Sequence, residues 1–110
     1  MQQIPTASEE LTLAIKQLAE KIYGGSFIFP ADFSLPEMMS ATLQHNYLYL
    51  CQVFFLTTDI TLEKYITGLQ IEKIKELLIY GNDPMNVIAA RLGFRSVRQL
   101  SKTFKAHTGL

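Results

Sequence analysis

Two stretches of this chain repeat one another, and the repeat limits the fold more than any other feature. Asn46, Leu50 and Phe54 fall at i, i+4 and i+8, and so do Ser96, Leu100 and Phe104. Asn and Ser favour helix starts because a short side-chain oxygen accepts an orphan amide of the first turn. A cap followed by apolar residues four apart describes a helix with one buried stripe. A shorter apolar segment precedes each cap, Met38 and Met39 to Leu43 in one case and Ile88 and Ala89 to Leu92 in the other. Ser40 and Ala41, and likewise Ala89 and Ala90, are small enough to predict a close crossing of each helix pair. Helix, tight turn, helix is therefore expected twice.

The remaining start and stop signals are also helical. Ser8 before Glu9 and Glu10 opens a segment with apolar residues at Leu11, Ile15, Leu18 and Ile22, closed by Gly24 and Gly25. Ser26 to Phe33, with Pro30 inside, reads as an extended connector whose Phe27 and Phe29 pack down. Ser34 with Glu37 forms a capping box, and Pro36 is tolerated in the first turn, where its missing amide would have no acceptor. The first repeat's second helix is predicted over about 47–56, with Thr57, Thr58 and Asp59 breaking the pattern. Thr61 opens a long helix carrying Leu62, Ile66, Leu69, Ile71, Ile74, Leu77 and Leu78 up to Gly81, roughly 27 Å in length. Asp83 as cap and Pro84 with its preset φ start another, and Gly93 suits the left-handed position after Leu92. Ser96 caps the last, with Leu100, Thr103 and Phe104 inward and its end near His107. No stretch alternates with period two. The expected fold is all-α: two helix-turn-helix units joined by a long linker helix, with an extra N-terminal helix. The divisions fall at 1–33, 34–60, 61–81 and 82–110.

Charge separates the two repeats. Ten Lys and Arg balance ten Asp and Glu over 110 residues, so the whole molecule has no field that would draw it to a polyanion. Residues 1–33 hold two Lys against four acids and residues 34–83 three Lys against six, balances of −2 and −3. Residues 84–110 hold Arg91, Arg95, Arg98, Lys102 and Lys105 and no acid, a balance of +5. A solvated basic face is the bland account of such a cluster. No apolar run approaches the roughly 20 residues that span a bilayer, so no membrane partner is expected. One cysteine, Cys51, and no secretory leader pattern point to a reducing, cytoplasmic location. His45, Cys51 and His107 lack metal-ligand spacing, and no phosphate loop or nucleophile elbow is present, so neither catalysis, metal nor cofactor is expected.

The residues Ile88-Ala89-Ala90-Arg91-Leu92-Gly93-Phe94, Ser96, Leu100, Phe104-Lys105 and Thr108-Gly109 resemble the second half of an AraC/XylS-type DNA-binding domain. Ser34-Leu35, Leu50, Phe54, Ile60-Thr61-Leu62 and Tyr65-Ile66 are similar to its first half, and residues 71–78 to its linker helix. The resemblance spans about 34–110 and implies a transcriptional regulator of double-stranded DNA. It further implies an activator, with RNA polymerase as a second partner. Three departures stand out: Gln52 and Gln70 occupy places where the family usually has Arg, and the sequence stops at Leu110, where the family continues into a proline-initiated helix. The 33 residues before the resemblance are too few for an effector-binding sensor, so no small-molecule effector is expected.

Each recognition helix of such a fold lies in the major groove, with early exposed residues at base edges and flanking cations on phosphates. In the second unit Val97, Arg98, Ser101 and Lys102 face away from Leu100 and Phe104. Arg98 suits guanine O6 and N7, Val97 a thymine methyl and Ser101 either donors or acceptors. Arg95, Lys102 and Lys105 suit phosphates. The first unit presents Tyr47, Leu48, Cys51 and Gln52, and no Lys or Arg occurs between Ala41 and Asp59. Gln52 suits adenine and Tyr47 a phosphate, while Leu48 and Cys51 suit a protein surface or the N-terminal helix equally well. The alternative function is therefore a protein-interaction module derived from a helix-turn-helix.

Overall fold

Among the residues that the computed structural model describes, 6–24, 29 and 32–109, six helices form and no strand does. They are α1 (Ala7–Gly24), α2 (Leu35–Leu43), α3 (Tyr47–Thr58), α4 (Leu62–Tyr80), α5 (Met85–Arg91) and α6 (Val97–Thr108). Phe27 and most of the expected connector lie outside the described residues. Ser34, Asn46, Thr61 and Ser96 cap α2, α3, α4 and α6 as expected, each side-chain oxygen accepting a first-turn amide. The α6 cap is doubled, since Ser96 Oγ accepts from the Gln99 amide at 3.1 Å and Gln99 Oε1 accepts from the Arg95 amide at 2.7 Å.

Several sequence expectations need correction. Thr6, not Ser8, starts α1: its Oγ1 accepts from the Glu9 amide at 3.1 Å. Counting from Thr6 puts Glu9 at the third helical position and completes a capping-box sequence, whereas counting from Ser8 would put Leu11 there. Asp83 does not cap α5. Pro84 stands at the cap without a side-chain bond, and the Asp83 carboxylate instead accepts from Arg91 at 2.8 Å, a charge-assisted contact. Helix α3 runs past residue 56 to Thr58, whose hydroxyl donates back to the Phe54 carbonyl at 2.8 Å, and left-handed Asp59 (φ 62°) ends it. The close crossing does not rest on small residues throughout: Ala89 is buried, but Ser40 is half-buried, Ala41 and Ala90 are exposed, and Met39 fills the first crossing.

The repeat also slips by one residue at its turn. The left-handed residue of the first unit, Gln44 (φ 57°), lies two positions before its cap, whereas Gly93 (φ 80°) lies three before Ser96. The added residue lets the second turn close as a Schellman motif, with the Phe94 amide donating to the Ala89 carbonyl at 2.9 Å and the Gly93 amide to the Ala90 carbonyl at 3.3 Å. Phe94 is thereby buried in the second unit.

Two apolar cores share α4. The first gathers Ile15, Ala19 and Ile22 of α1, Met39, Leu50 and Phe54, and Leu62 and Ile66 of α4. The second gathers Ile71 and Ile74 of α4 with Ile88, Ala89, Leu92, Phe94 and Leu100. Ile66 and Ile71 are five residues apart, a rotation of about 140° at 3.6 residues per turn, so the two cores occupy different sides of one rod. The result is elongated: the radius of gyration is 15.2 Å, against about 13 Å for a compact chain of this length.

Beyond the shared α4, Gln70 and Phe29 also link the second unit to the remainder. Gln70 Nε2 donates to the Leu92 carbonyl at 3.2 Å. Phe29, stacked at 4.7 Å edge-on to Phe33 and at 5.7 Å to Tyr23, reaches Gly93, where an added Cβ would lie 3.2 Å from its ring. Gly93→Ala is therefore expected to destabilise the fold by about 1–2 kcal/mol from the left-handed backbone alone, with displacement of Phe29 in addition. A lower denaturation midpoint at unchanged m-value would register it. Gly24→Ala, with nothing within 4 Å of the added atom, serves as the control and should be nearly silent.

Candidate nucleic-acid interface

Helix α6 buries Leu100 and half-buries Thr103 and Phe104 against α4 and α5, and His107 passes over Gly68 of the linker helix. Residues spaced by four and three share one helical stripe, so Arg98, Lys102 and Lys105 line up on the side away from Leu100. All three are exposed, as is Arg95 just before the cap. Among the described residues the ion pairs are Lys73 with Glu76, Lys75 with Glu72 and Arg91 with Asp83. None of them takes up Arg95, Arg98, Lys102 or Lys105. Arg91 is committed to Asp83, so four of the five tail cations remain for an external anion. Val97 is at the edge of exposure, and Ser101 is half-buried on the flank facing Ile74, Leu78 and Met85. Lys102 also lines a shallow cleft against Thr61, Glu63 and Lys64 at the start of α4.

The four residues expected on the first helix do not share one face. Leu48 (72% exposed) and Gln52 point outward. Tyr47 and Cys51 are half-buried and pack on the first core. Burial pushes the Tyr47 hydroxyl up to about 12, and the neighbouring Cys51 thiol adds to this through charge and a hydrogen bond. It remains an uncharged group turned toward α1 and α4. Phe55 (46% exposed) and Leu56 (83% exposed) also lie on the open side of α3, and sequence reasoning assigned neither. The signal was available, since Phe55 occupies in α3 the place that Lys105 occupies in α6. No Lys or Arg lies between Ala41 and Asp59, so the outer face of α3 is an apolar and amide surface.

A family profile described as a helix-turn-helix domain matches residues 39–110. The chain belongs to the AraC-type helix-turn-helix family. No curated protein sequence matches it. Among solved structures, it is similar to the C-terminal domain of AraT, a response regulator from Geobacillus stearothermophilus, at 24% identity and a TM-score of 0.76, covering 96% of this chain and 82% of that one. The C-terminal domain of the two-component response regulator yesN from Fusobacterium nucleatum gives 25% identity and a TM-score of 0.72 over 90% of this chain and 98% of that one. The DNA-binding domain of the global transcriptional factor AdpA, solved with a target DNA, gives 18% identity and a TM-score of 0.67 over 90% and 82%. These likenesses are of fold, and at 90–96% of this chain each reaches into α1 as well as the two units.

Gln52 and Gln70 differ in their surroundings. Gln70 has a structural use, since its amide reaches the Leu92 carbonyl and anchors the end of α5 to the linker helix. Gln52 has no such contact and faces outward. Among the described residues no helix is long and apolar enough to cross a membrane.

Proposed function

We propose that this chain binds double-stranded DNA sequence-specifically as a transcriptional regulator, with α6 in one major groove and α3 in the next. The observation that carries this reading is the outward stripe of Arg98, Lys102 and Lys105, held by a buried Leu100 and free of intramolecular ion pairs. Arg98, near the helix start, is placed for guanine O6 and N7, and Val97 beside it for a thymine methyl. Arg95, Lys102 and Lys105 hold phosphates, and Ser101 contributes from the flank. Tyr47 and Cys51 anchor α3 from behind. The molecule is 48 Å long, enough to meet groove faces that recur about every 34 Å. The fold likeness to a domain solved on its target DNA supports the same arrangement. Activation, with RNA polymerase as second partner, follows from the way members of the family mostly act.

Three phosphate-facing cations imply that log K falls against log salt with a slope of about −3. Fluorescence anisotropy of a labelled duplex at several salt concentrations measures this directly, and a slope near zero would remove the reading. The second reading is a protein-interaction module, favoured by Leu48, Phe55 and Leu56 standing exposed on α3. Salt-independent, concentration-dependent self-association without duplex binding would establish it instead.

A further inference from the structure

We propose that α3 reads an A·T-rich half-site, with Leu48 against a thymine C5 methyl and Gln52 on adenine N6 and N7. This rests on the reading of the chain as a duplex DNA binder. Helices α3 and α6 are each 12 residues long and each starts directly after its cap. Positions therefore correspond one to one: Leu48 stands where α6 has Arg98, Gln52 where it has Lys102, and Phe55 where it has Lys105. With Leu50, Val53 and Phe54 buried and Tyr47 and Cys51 packed on the first core, Leu48 and Gln52 form the outward stripe of the early turns of α3; Tyr49, 47% exposed, lies on the flank with its ring 5.2 Å from that of His45.

The base pairs that such a surface accepts follow from its chemistry. Guanine shows two acceptors to the major groove and is met by paired donors, which Arg98 supplies in the second unit and no residue from Ala41 to Asp59 supplies as a cation. Leu48 laid over a G·C pair would cover the guanine O6 or cytosine N4–H without pairing it, a desolvation loss. Over thymine it meets a methyl group instead. The Gln52 carboxamide presents an NH2 donor beside a carbonyl acceptor, which match adenine N7 and N6–H. Leu48 and Gln52 are one helical turn apart, so the two contacts fall within a step or two of each other. Phe55 in the phosphate-facing position adds no charge, so this half-site contributes base preference with little salt dependence.

The test uses the full chain and a duplex selected with it from a random pool, followed by single-atom-group replacements in the half-site farther from the Arg98 contact. Replacing thymine by uracil removes only the C5 methyl and is expected to weaken wild-type binding about fourfold, with no further loss in Leu48→Ala. Replacing adenine by 7-deazaadenine removes only the N7 acceptor and is expected to weaken binding about fivefold, with no further loss in Gln52→Ala. The salt slope should stay unchanged in both cases. Both side chains are exposed, so the variants fold. Selection of a G·C-rich or random sequence there, or indifference to both replacements while Arg98→Ala still releases the duplex, overturns this inference alone. Failure to retain any duplex overturns it together with the proposed function.

Discussion

Arg98→Ala is expected to lower affinity for a selected duplex by roughly tenfold to a hundredfold, the range for losing one bidentate guanine contact. Preference should relax at one base position only. Arg98 is exposed and in none of the three ion pairs, so stability should change by no more than about 0.5 kcal/mol. The loss is then one of recognition and not of folding. Lys105→Ala should behave differently: affinity falls about evenly across sequences, and the salt slope becomes shallower by about one, because a phosphate contact positions without specifying. Arg98→Lys separates charge from geometry, since an ammonium keeps the charge and cannot form the planar fork. It should keep the salt slope and still lose the base preference. Gln52→Ala should cost only a few-fold, since no released counterion accompanies it. Equal losses from Arg98→Ala and Gln52→Ala would show that the cationic head does not dominate binding. Anisotropy titrations of the four variants on the selected duplex and its single-base variants, at several salt concentrations, decide the matter.

Much of this architecture is legible in the chain because helix ends are local chemistry. Ser34, Asn46, Thr61 and Ser96 each cap the helix that follows, and Gly93 adopts the left-handed conformation its place demands. Where two polar residues compete for one start, local pattern is ambiguous, as at Thr6 and Ser8. Asp83 looked like a cap because Pro follows it, but its partner Arg91 is eight residues away, across the whole of α5. The slip of the repeat at its turn is hidden because Met38 and Met39 are both apolar and either can be aligned with Ile88. The contacts of Phe29 with Gly93 and of Gln70 with Leu92 join residues more than twenty positions apart. No periodicity records such pairs.

The candidate site is legible on α6 and less so on α3, for one physical reason. Helix α6 is amphipathic, so charge marks its outer stripe. Helix α3 carries apolar side chains on nearly every face, and α1 packs beside it, widening the sector that is covered. Tyr47 and Cys51 are drawn into that sector. Phe55 and Leu56, with the same chemical character, remain outside it. Hydrophobicity alone does not sort these four, and only the position of α1 does.

Leu100→Ala and Phe54→Ala are expected to remove about 2–5 and 3–5 kcal/mol of stability, but from different parts of the molecule. Leu100 of α6 and Phe54 of α3 are both buried, at 1% and 0% exposure, and each sits in its own core. The first core includes α1 and holds Tyr23, Tyr47 and Tyr65 in fixed surroundings, with Phe54 and Tyr65 rings 5.2 Å apart. Residues 81–110 contain no Tyr, and the chain has no Trp. The other two tyrosines, Tyr49 and Tyr80, are 47% and 84% exposed, so near-ultraviolet circular dichroism of tyrosine reports chiefly on the first core. If the cores are joined only through α4, Gln70 and Phe29, Leu100→Ala should loosen the second unit and abolish salt-sensitive duplex binding while the tyrosine signal persists. Phe54→Ala should erase the tyrosine signal and lower the melting temperature by more than about 10 °C. A loss of that size is a large share of the roughly 5–15 kcal/mol that stabilises a domain, so Phe54→Leu, which keeps most of the apolar volume, should recover much of it. Loss of the tyrosine signal in Leu100→Ala would instead mean that the two units fold and fail together, and that the linker helix transmits packing strain from one reading head to the other.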